Sequence, residues 1–258
     1  MKKIKITDIT PKSIKGAELI ERLLYIDEID STNSYLLRSS KICKSGTAVV
    51  TLNQTAGRGR KDHVWDSRGC AAVSVLFRGI SSPLLPLAAA TAAAEAIYKL
   101  SNSKAEIKWP NDILINEKKV CGILCEARTS AAPGDAIAVC GAGFNLSQEQ
   151  DFFEKAKLYH ASSIYAQTGK ILNYADIAEQ FLLNLEENLK LIKNNAPMLL
   201  QGYKDRCITI GRQVKIMPSE EIGTAVDIDA DGALVVKTQS GKIKAYGDVS
   251  VRGVDGYI

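Results

Sequence analysis

The sequence predicts an α+β protein: a mixed β-sheet with helices packed on one face, followed by a small C-terminal β-barrel module. Three observations carry that expectation. β-rich runs of strand length outnumber amphipathic helical runs, and the connections between them are too short for repeated βαβ crossovers. From Arg212 onward the texture changes to short alternating strands separated by Asp231-Gly232 and Ser240-Gly241, both turn dipeptides. A chain of 258 residues accommodates one large and one small domain, and the change of texture divides it into residues 1–208 and 209–258.

Leu23 to Asp30 reads as a strand, and Ser31, Thr32 and Asn33 follow it where a hydroxyl can cap the short amphipathic run that continues to Lys41. Thr47 to Asn53 and Ala71 to Phe77 are further strands. Leu84 to Leu100 is alanine-rich, with no glycine or proline after Pro86, and predicts a buried helix. Ala105 to Trp109 leads into a tight break at Pro110-Asn111-Asp112, then a hairpin of Ile113 to Ile115 and Val120 to Glu126. Ala136 to Cys140 is one more strand, ending at Gly141-Ala142-Gly143. Ile177, Phe181, Leu185, Leu189 and Ile192 recur at helical spacing, which predicts a helix from Asn173 to Lys193.

Composition excludes several function classes. Lys plus Arg is 33 and Asp plus Glu 29, a formal charge of +4, so any basic site is local and the chain is not built to coat nucleic acid. The longest uncharged stretch, Gly79 to Ala94, has 16 residues and two prolines, short of the ~18 to 20 that a membrane span needs. No apolar run of ~7 to 15 residues follows basic Met1 to Lys12, so no secretory signal is expected and the reading is cytoplasmic. The six cysteines then read as reduced thiols. Cys121 and Cys125 have three residues between them and are remote from His63 and His160, which does not suit a closed zinc site.

The polar segment Gln54 to Cys70 is long for a loop in a compact domain, and loops of that length are usually functional. It holds Gly57-Arg58-Gly59-Arg60-Lys61. Glycines let backbone N–H groups approach an anion, and arginine grips phosphate or carboxylate with a planar fork; a solvated basic loop is the plainer alternative. Neither GxxxxGK(S/T) nor GxGxxG is completed anywhere in the chain. A second cluster, Lys108 to Asp112, lies close to Lys118-Lys119, compact point charges suited to neutralising a carboxylate beside a phosphate.

Taken in order, STN at 31–33, GRGR-x4-W at 57–65, KWPND at 108–112, KKVCGIL at 118–124 and GAGFN at 141–145 resemble the biotin protein ligase family. The motifs run from Tyr25 to Asn145, and the terminal β module resembles that family's C-terminal domain. The resemblance implies a catalytic domain of the class II synthetase-like (biotin–lipoate ligase) fold and an SH3-like module. It also implies a two-step ligase. Biotin and MgATP form biotinyl-5′-adenylate, and the acyl group then passes to a lysine of a biotin carboxyl carrier domain of a carboxylase.

By the same resemblance, Ser31, Thr32, Asn33 and Gln54 surround the biotin ring and its ureido group. Arg58, Gly59 and Arg60 belong to a loop that orders over the ligand, Arg60 helping to retain the adenylate. Lys119 faces the biotin carboxylate and the phosphate. Gly57, Arg58, Trp65, Asn111, Lys119 and Asn145 lie near the nucleotide, and Asp112 near the metal. Lys119, Arg58 and Arg60 are the expected catalytic cations.

The chain departs from the family in two ways. Members commonly read GRGRRGR where this chain reads GRGRKDH, with Asp62 in place of glycine and His63 in place of arginine. Many also carry an N-terminal winged helix-turn-helix, whereas here the first strand begins within ~25 residues of Met1, so a ligase without DNA binding, monomeric or homodimeric, is expected. A lipoate ligase or octanoyltransferase of the same fold is the nearest rival, but its triple-glycine motif is absent. A nucleic-acid-binding regulator is the rival of another class, and the low net charge argues against it.

Overall fold

The computed structural model describes residues 5–128, 136–245 and 250–254. Its elements run β1 (Ile6–Asp8), α1 (Lys12–Lys15), β2 (Arg22–Ile26), α2 (Thr32–Arg38), β3 (Thr47–Thr51), β4 (Cys70–Arg78), α3 (Leu85–Ser101), β5 (Glu106–Lys108), β6 (Asp112–Ile115), β7 (Lys118–Arg128) and β8 (Ile137–Asn145). These are followed by α4 (Gln150–Lys155), α5 (Ile164–Thr168), α6 (Tyr174–Asn194), α7 (Ala196–Lys204), β9 (Gln213–Met217), β10 (Glu221–Ile228), β11 (Leu234–Thr238), β12 (Gly241–Ala245) and β13 (Ser250–Gly253). Tyr246, the end of the last alternating run in the sequence, lies outside the described residues.

The first eight strands form one mixed sheet in the order β1-β2-β3-β4-β8-β7-β6-β5. β2 and β3 pair in parallel, joined across α2, and the other neighbours are antiparallel. β4 lies at its centre with β3 beside it, and both are buried on both faces, as a doubly covered sheet requires. The two long helices, α3 and α6, share one face, as the sequence predicts. The other face is also covered: Leu36 and Leu37 of α2 bury Ile26, Val49, Leu76 and Val139 in a second, smaller core. Both faces of β3 and β4 need cover, so the helices do not stay wholly on one side.

α3 is buried nearly all round because it lies between the sheet and α6; alanines at 88–90 and 92–94 let both neighbours come close. Asn102 ends it in the left-handed conformation, with φ 56°. The stripe Ile177, Phe181, Leu185 and Leu189 of α6 is buried. Glu186 on the same helix is the exception to the apolar rule. Its carboxylate accepts the backbone N–H groups of Glu18, Leu19 and Ile20 at 2.8, 2.9 and 3.1 Å, tying the approach to β2 onto the helix.

The last five strands form a separate antiparallel sheet in the order β12-β11-β10-β9-β13. It docks onto the larger unit through the break after β5. Trp109 donates its backbone N–H to Thr209 Oγ1 (2.9 Å) and its indole N–H to the Gly232 carbonyl (3.1 Å), while Tyr203 donates its hydroxyl to the Pro110 carbonyl (3.1 Å). Val214, Ile228 and Leu234 join the principal core, so apolar contact runs unbroken between the two sheets. Among the described residues no helix is long and apolar enough to cross a membrane.

Candidate active site

β8 does not stop at Cys140. It pairs along its whole length with β4 on one side and β7 on the other, and carries the glycines of 141–143 inside the sheet. The registers place Gly141 between Ser74 and Leu124, and Gly143 between Ala72 and Gly122. Side chains alternate across a strand, so these positions present small residues to one face and leave a recess in the sheet. That recess floors a cleft of about 460 Å³.

Neighbouring side chains use the vacated space. A methyl group at Gly143 would lie 2.6 Å from Trp65 Cε2, one at Gly141 2.3 Å from Asn33 Oδ1, and one at Gly122 3.1 Å from Trp65 Cζ3 and 3.2 Å from Lys119 Cε. Trp65 therefore rests on Gly122 and Gly143, with the Lys119 ammonium 5.7 Å from its ring centre. Glycine is needed here for close approach rather than for an unusual backbone.

One set of the lining groups is neutral and polar. Ser31 caps α2, accepting the Ser34 N–H at 3.5 Å, and thereby brings Ser31, Thr32 and Asn33, each 3% exposed, to the cleft wall. Gln54 Oε1 accepts from the Thr32 backbone N–H (2.9 Å), with the Thr32 hydroxyl oxygen 3.2 Å away. Ser74 Oγ lies 2.6 Å from both Thr32 Oγ1 and Asn33 Oδ1. The Asn33 amide nitrogen donates to the Leu124 carbonyl (3.1 Å) and to Glu126 Oε2 (2.9 Å).

The other set is cationic. The loop after Gln54 folds back as a narrow ribbon, Trp65 N–H to Gly57 carbonyl at 2.9 Å and Gly59 N–H to His63 carbonyl at 2.7 Å. Its left-handed residue is Lys61, with φ 52°. From the ribbon, Arg58 reaches Glu126 (3.0 Å) and Arg60 donates to Asn111 Oδ1 (2.7 Å). Lys119 lies 2.5 Å from Asp112. Its backbone is held on the 160–162 segment, Lys119 N–H to His160 carbonyl (2.8 Å) and Ser162 N–H to Lys119 carbonyl (2.9 Å). Lys108 sits across β5 and β6 from Asp112, and burial pushes its ammonium down to about 8.

Of the residues singled out in the sequence, the cleft wall gathers Ser31, Thr32, Asn33, Gln54, Arg58, Gly59, Arg60, Trp65, Asn111 and Lys119. Three sit just behind it. Gly57 lies at the loop base, where an added methyl would meet the Trp65 carbonyl at 2.3 Å. Asp112 lies behind Lys119. Asn145 is 5% exposed and donates to the Ser162 carbonyl (2.9 Å), fastening the segment under Lys119. The sequence motifs give no sign of Ser74 or Glu126, and carry Gly122, Leu124, Gly141 and Gly143 only as members, without a place in the site. Strand alternation through CAAVSVLFR and CGAGFN would have put Ser74 and the glycines on one face, but only the strand register places them under Asn33 and Trp65.

Comparison with known proteins places this arrangement. The model of the biotin/lipoate A/B protein ligase family matches residues 25–145, and that of the biotin protein ligase C-terminal domain matches residues 209–252. The chain is 31% identical over 244 residues to the bifunctional ligase/repressor BirA of Bacillus spizizenii, covering 90% of this chain and 74% of that protein. It is 30% identical over 224 residues to the biotin–acetyl-CoA-carboxylase ligase of Mycobacterium tuberculosis, covering 81% and 80% of the two chains. The structure of the biotin protein ligase from Aquifex aeolicus in complex with biotin and ATP superposes with a TM-score of 0.80 at 28% identity, over 91% of this chain and 100% of that one. With both family models matched in order and full-length relatives covered across most of their extent, the chain belongs to the biotin protein ligase family.

Proposed function

We propose that this chain joins biotin to a lysine of a biotin carboxyl carrier domain in two steps, through biotinyl-5′-adenylate. One observation carries the reading: a single cleft is lined by two kinds of polar group, the neutral hydroxyls and amides of Ser31, Thr32, Asn33 and Gln54 and the cations Arg58, Arg60 and Lys119. That combination suits a ligand with a neutral, hydrogen-bonding head and an anionic tail. In the first step a biotin carboxylate oxygen attacks the α-phosphorus of ATP, and the bond to pyrophosphate breaks. The two acids repel, and fixed cations facing the developing charge are worth about 3 to 4 kcal/mol for a key donor. In the second step the carrier ε-amine attacks the acyl carbon, AMP leaves, and the amine gives up a proton.

Ser31, Thr32, Asn33 and Gln54 take the ureido ring in this reading, and Lys119 takes the carboxylate and phosphate. Arg58, Gly59 and Arg60 close over the adenylate, which must be kept from water. Gly57, Trp65, Asn111 and Asn145 shape the nucleotide side. Magnesium enters as part of the substrate MgATP, with phosphate oxygens and waters supplying most of its ligands. Asp112, beside Lys119, is the carboxylate that would face that cation. Residues 1–208 act as the catalytic unit and 209–258 as the C-terminal module, a division supported by the second family match beginning at 209.

The test is incubation with biotin, MgATP and a purified carrier domain, followed by streptavidin blotting, with lipoate in parallel. Labelling with biotin alone is the expected result. Transfer of lipoate with no transfer of biotin would overturn the assignment.

A further inference from the structure

Glu126 sits on β7 with its side chain 22% exposed, next to a cleft read here as receiving an anionic ligand. An acid there opposes that ligand electrostatically, so its presence calls for a compensating role. Its two oxygens have different partners. Oε2 accepts from the Asn33 amide nitrogen at 2.9 Å, and Oε1 accepts from Arg58 Nη2 at 3.0 Å.

An asparagine amide can present either end, and its neighbours decide which. An ionised carboxylate only accepts, so Glu126, with the Leu124 carbonyl at 3.1 Å, turns the amide nitrogen of Asn33 towards itself. Asn33 Oδ1 must then face Ser74 and take its one hydroxyl proton, and the choice passes on: Ser74 Oγ accepts from Thr32 Oγ1 at 2.6 Å, and Gln54 Oε1 keeps the Thr32 backbone N–H at 2.9 Å. One carboxylate therefore sets the donor and acceptor pattern of the neutral groups. Its other oxygen holds Arg58 at the rim, where the same guanidinium is 3.4 Å from Ser34 Oγ.

We propose that Glu126 is a positioning residue of the ligase, orienting the Asn33 amide for the ligand head and holding Arg58, with its loop, against β7 until ligand arrives. The proposal rests on the biotin reading of the cleft. Glutamine at 126 separates the two tasks. Its carbonyl oxygen still accepts from Asn33, whose orientation the Leu124 carbonyl continues to favour, while its amide N–H groups meet the Arg58 N–H groups and release them.

The experiment measures biotin KM and kcat in carrier labelling, and limited trypsin cleavage at Arg58, Arg60 and Lys61 without ligand, in the parental chain, Glu126→Ala and Glu126→Gln. Glu126→Ala should raise biotin KM at least about tenfold with kcat changed less than about threefold, the pattern of lost ground-state binding. Glu126→Gln should raise KM distinctly less. Both variants should be cut faster in the loop than the parental chain. Equal KM increases in the two variants, or a fall in kcat at constant KM, would overturn the orienting role, and unchanged cleavage in both would overturn the hold on Arg58. Should Glu126→Ala not fold, a Glu126→Gln loop cut no faster than the parental loop still refutes the proposal. A parental chain that neither binds nor transfers biotin defeats the functional reading instead, and the ligand-free cleavage comparison stands apart from it.

Discussion

Alanine at Gly141 should damage biotin binding more than it damages the fold. The added methyl would lie 2.3 Å from Asn33 Oδ1 and 3.2 Å from the Leu124 carbonyl, so the amide must move. It has little freedom to do so, being held at 2.6 Å by Ser74, 2.9 Å by Glu126 and 3.1 Å by Leu124. Losing two or three such bonds at about 1 kcal/mol each gives about 2 to 3 kcal/mol, within the usual range for overpacking. Part of this cost is felt without ligand and should lower Tm by about 2 to 6 °C. The methyl also stands on the cleft floor, where the ligand must meet it again. With 1.4 kcal/mol equal to a factor of ten, biotin KM should rise at least about tenfold, with kcat within about threefold. The assay is biotin-dependent exchange between ATP and pyrophosphate, with a thermal melt alongside. A KM within about twofold of the parental value would refute the argument that glycine is there to seat Asn33.

Four further predictions follow from the same structure. Lys119→Ala should reduce pyrophosphate exchange by about 10² to 10³, and exchange at the parental rate would remove Lys119 from the chemistry. Arg60→Gly deletes the side chain held by Asn111, and should let the adenylate escape; increased labelling of bystander proteins is the readout, and no increase would count against the retaining role. Burial raises the Glu186 carboxyl, but the three backbone N–H groups and Lys190 outweigh it and leave it below the ordinary 4.5. The stability this adds is fully present above about pH 4.5 and is lost as pH falls through the lower folded value, so Glu186→Gln should cost on the order of 2 kcal/mol near neutrality and progressively less in acid. A pH-independent difference in chemical denaturation would contradict this. Gly202 lies inside α7 with only Arg206 Nη1, 3.8 Å away, in reach of an added methyl, and Gly202→Ala should stabilise the chain by about 0.4 to 1 kcal/mol, checked by the same denaturation.

What the sequence disclosed depended on how local each signal was. The stripe of α6, the alanine run of α3 and the Asp231-Gly232 turn are written in neighbouring residues, and each falls within a residue or two of its expected place. The loop motif and Lys119 were legible because charged residues next to glycine stand out. The floor was not legible. Ser74, Gly122, Gly141 and Gly143 are unremarkable one at a time, and become a recess only when β7, β4 and β8 pair in their observed register. Glu126 was hidden for another reason: it closes the apolar run Val120 to Glu126 and reads as the polar end of a strand, whereas Asn33, 93 residues away, gives it its work. The cover on the far side of the sheet followed the same pattern, since the short run of α2 discloses an apolar face but not the strands that receive it.

The pairing of the cleft cations bears on how the ligase avoids acting as a general anion trap. Arg58 is matched to Glu126, Lys119 to Asp112, and Arg60 leans on the amide oxygen of Asn111. A stray anion must draw Arg58 from Glu126 and Lys119 from Asp112, which costs more than a simple anion returns. MgATP and biotin together offer a different exchange. In the reading proposed above, biotin brings the head group for Asn33, Thr32 and Gln54, and its carboxylate and the phosphate take the place of Asp112 beside Lys119. In this arrangement selectivity comes from the requirement that every displaced charge find a new partner, and only the true pair of substrates supplies all of them. Asp112→Asn should then loosen that requirement, leaving Lys119 without its carboxylate partner, so that inorganic phosphate inhibits pyrophosphate exchange more strongly in the variant than in the parental chain. Equal inhibition constants would show that the Lys119–Asp112 pair is not what holds stray anions off.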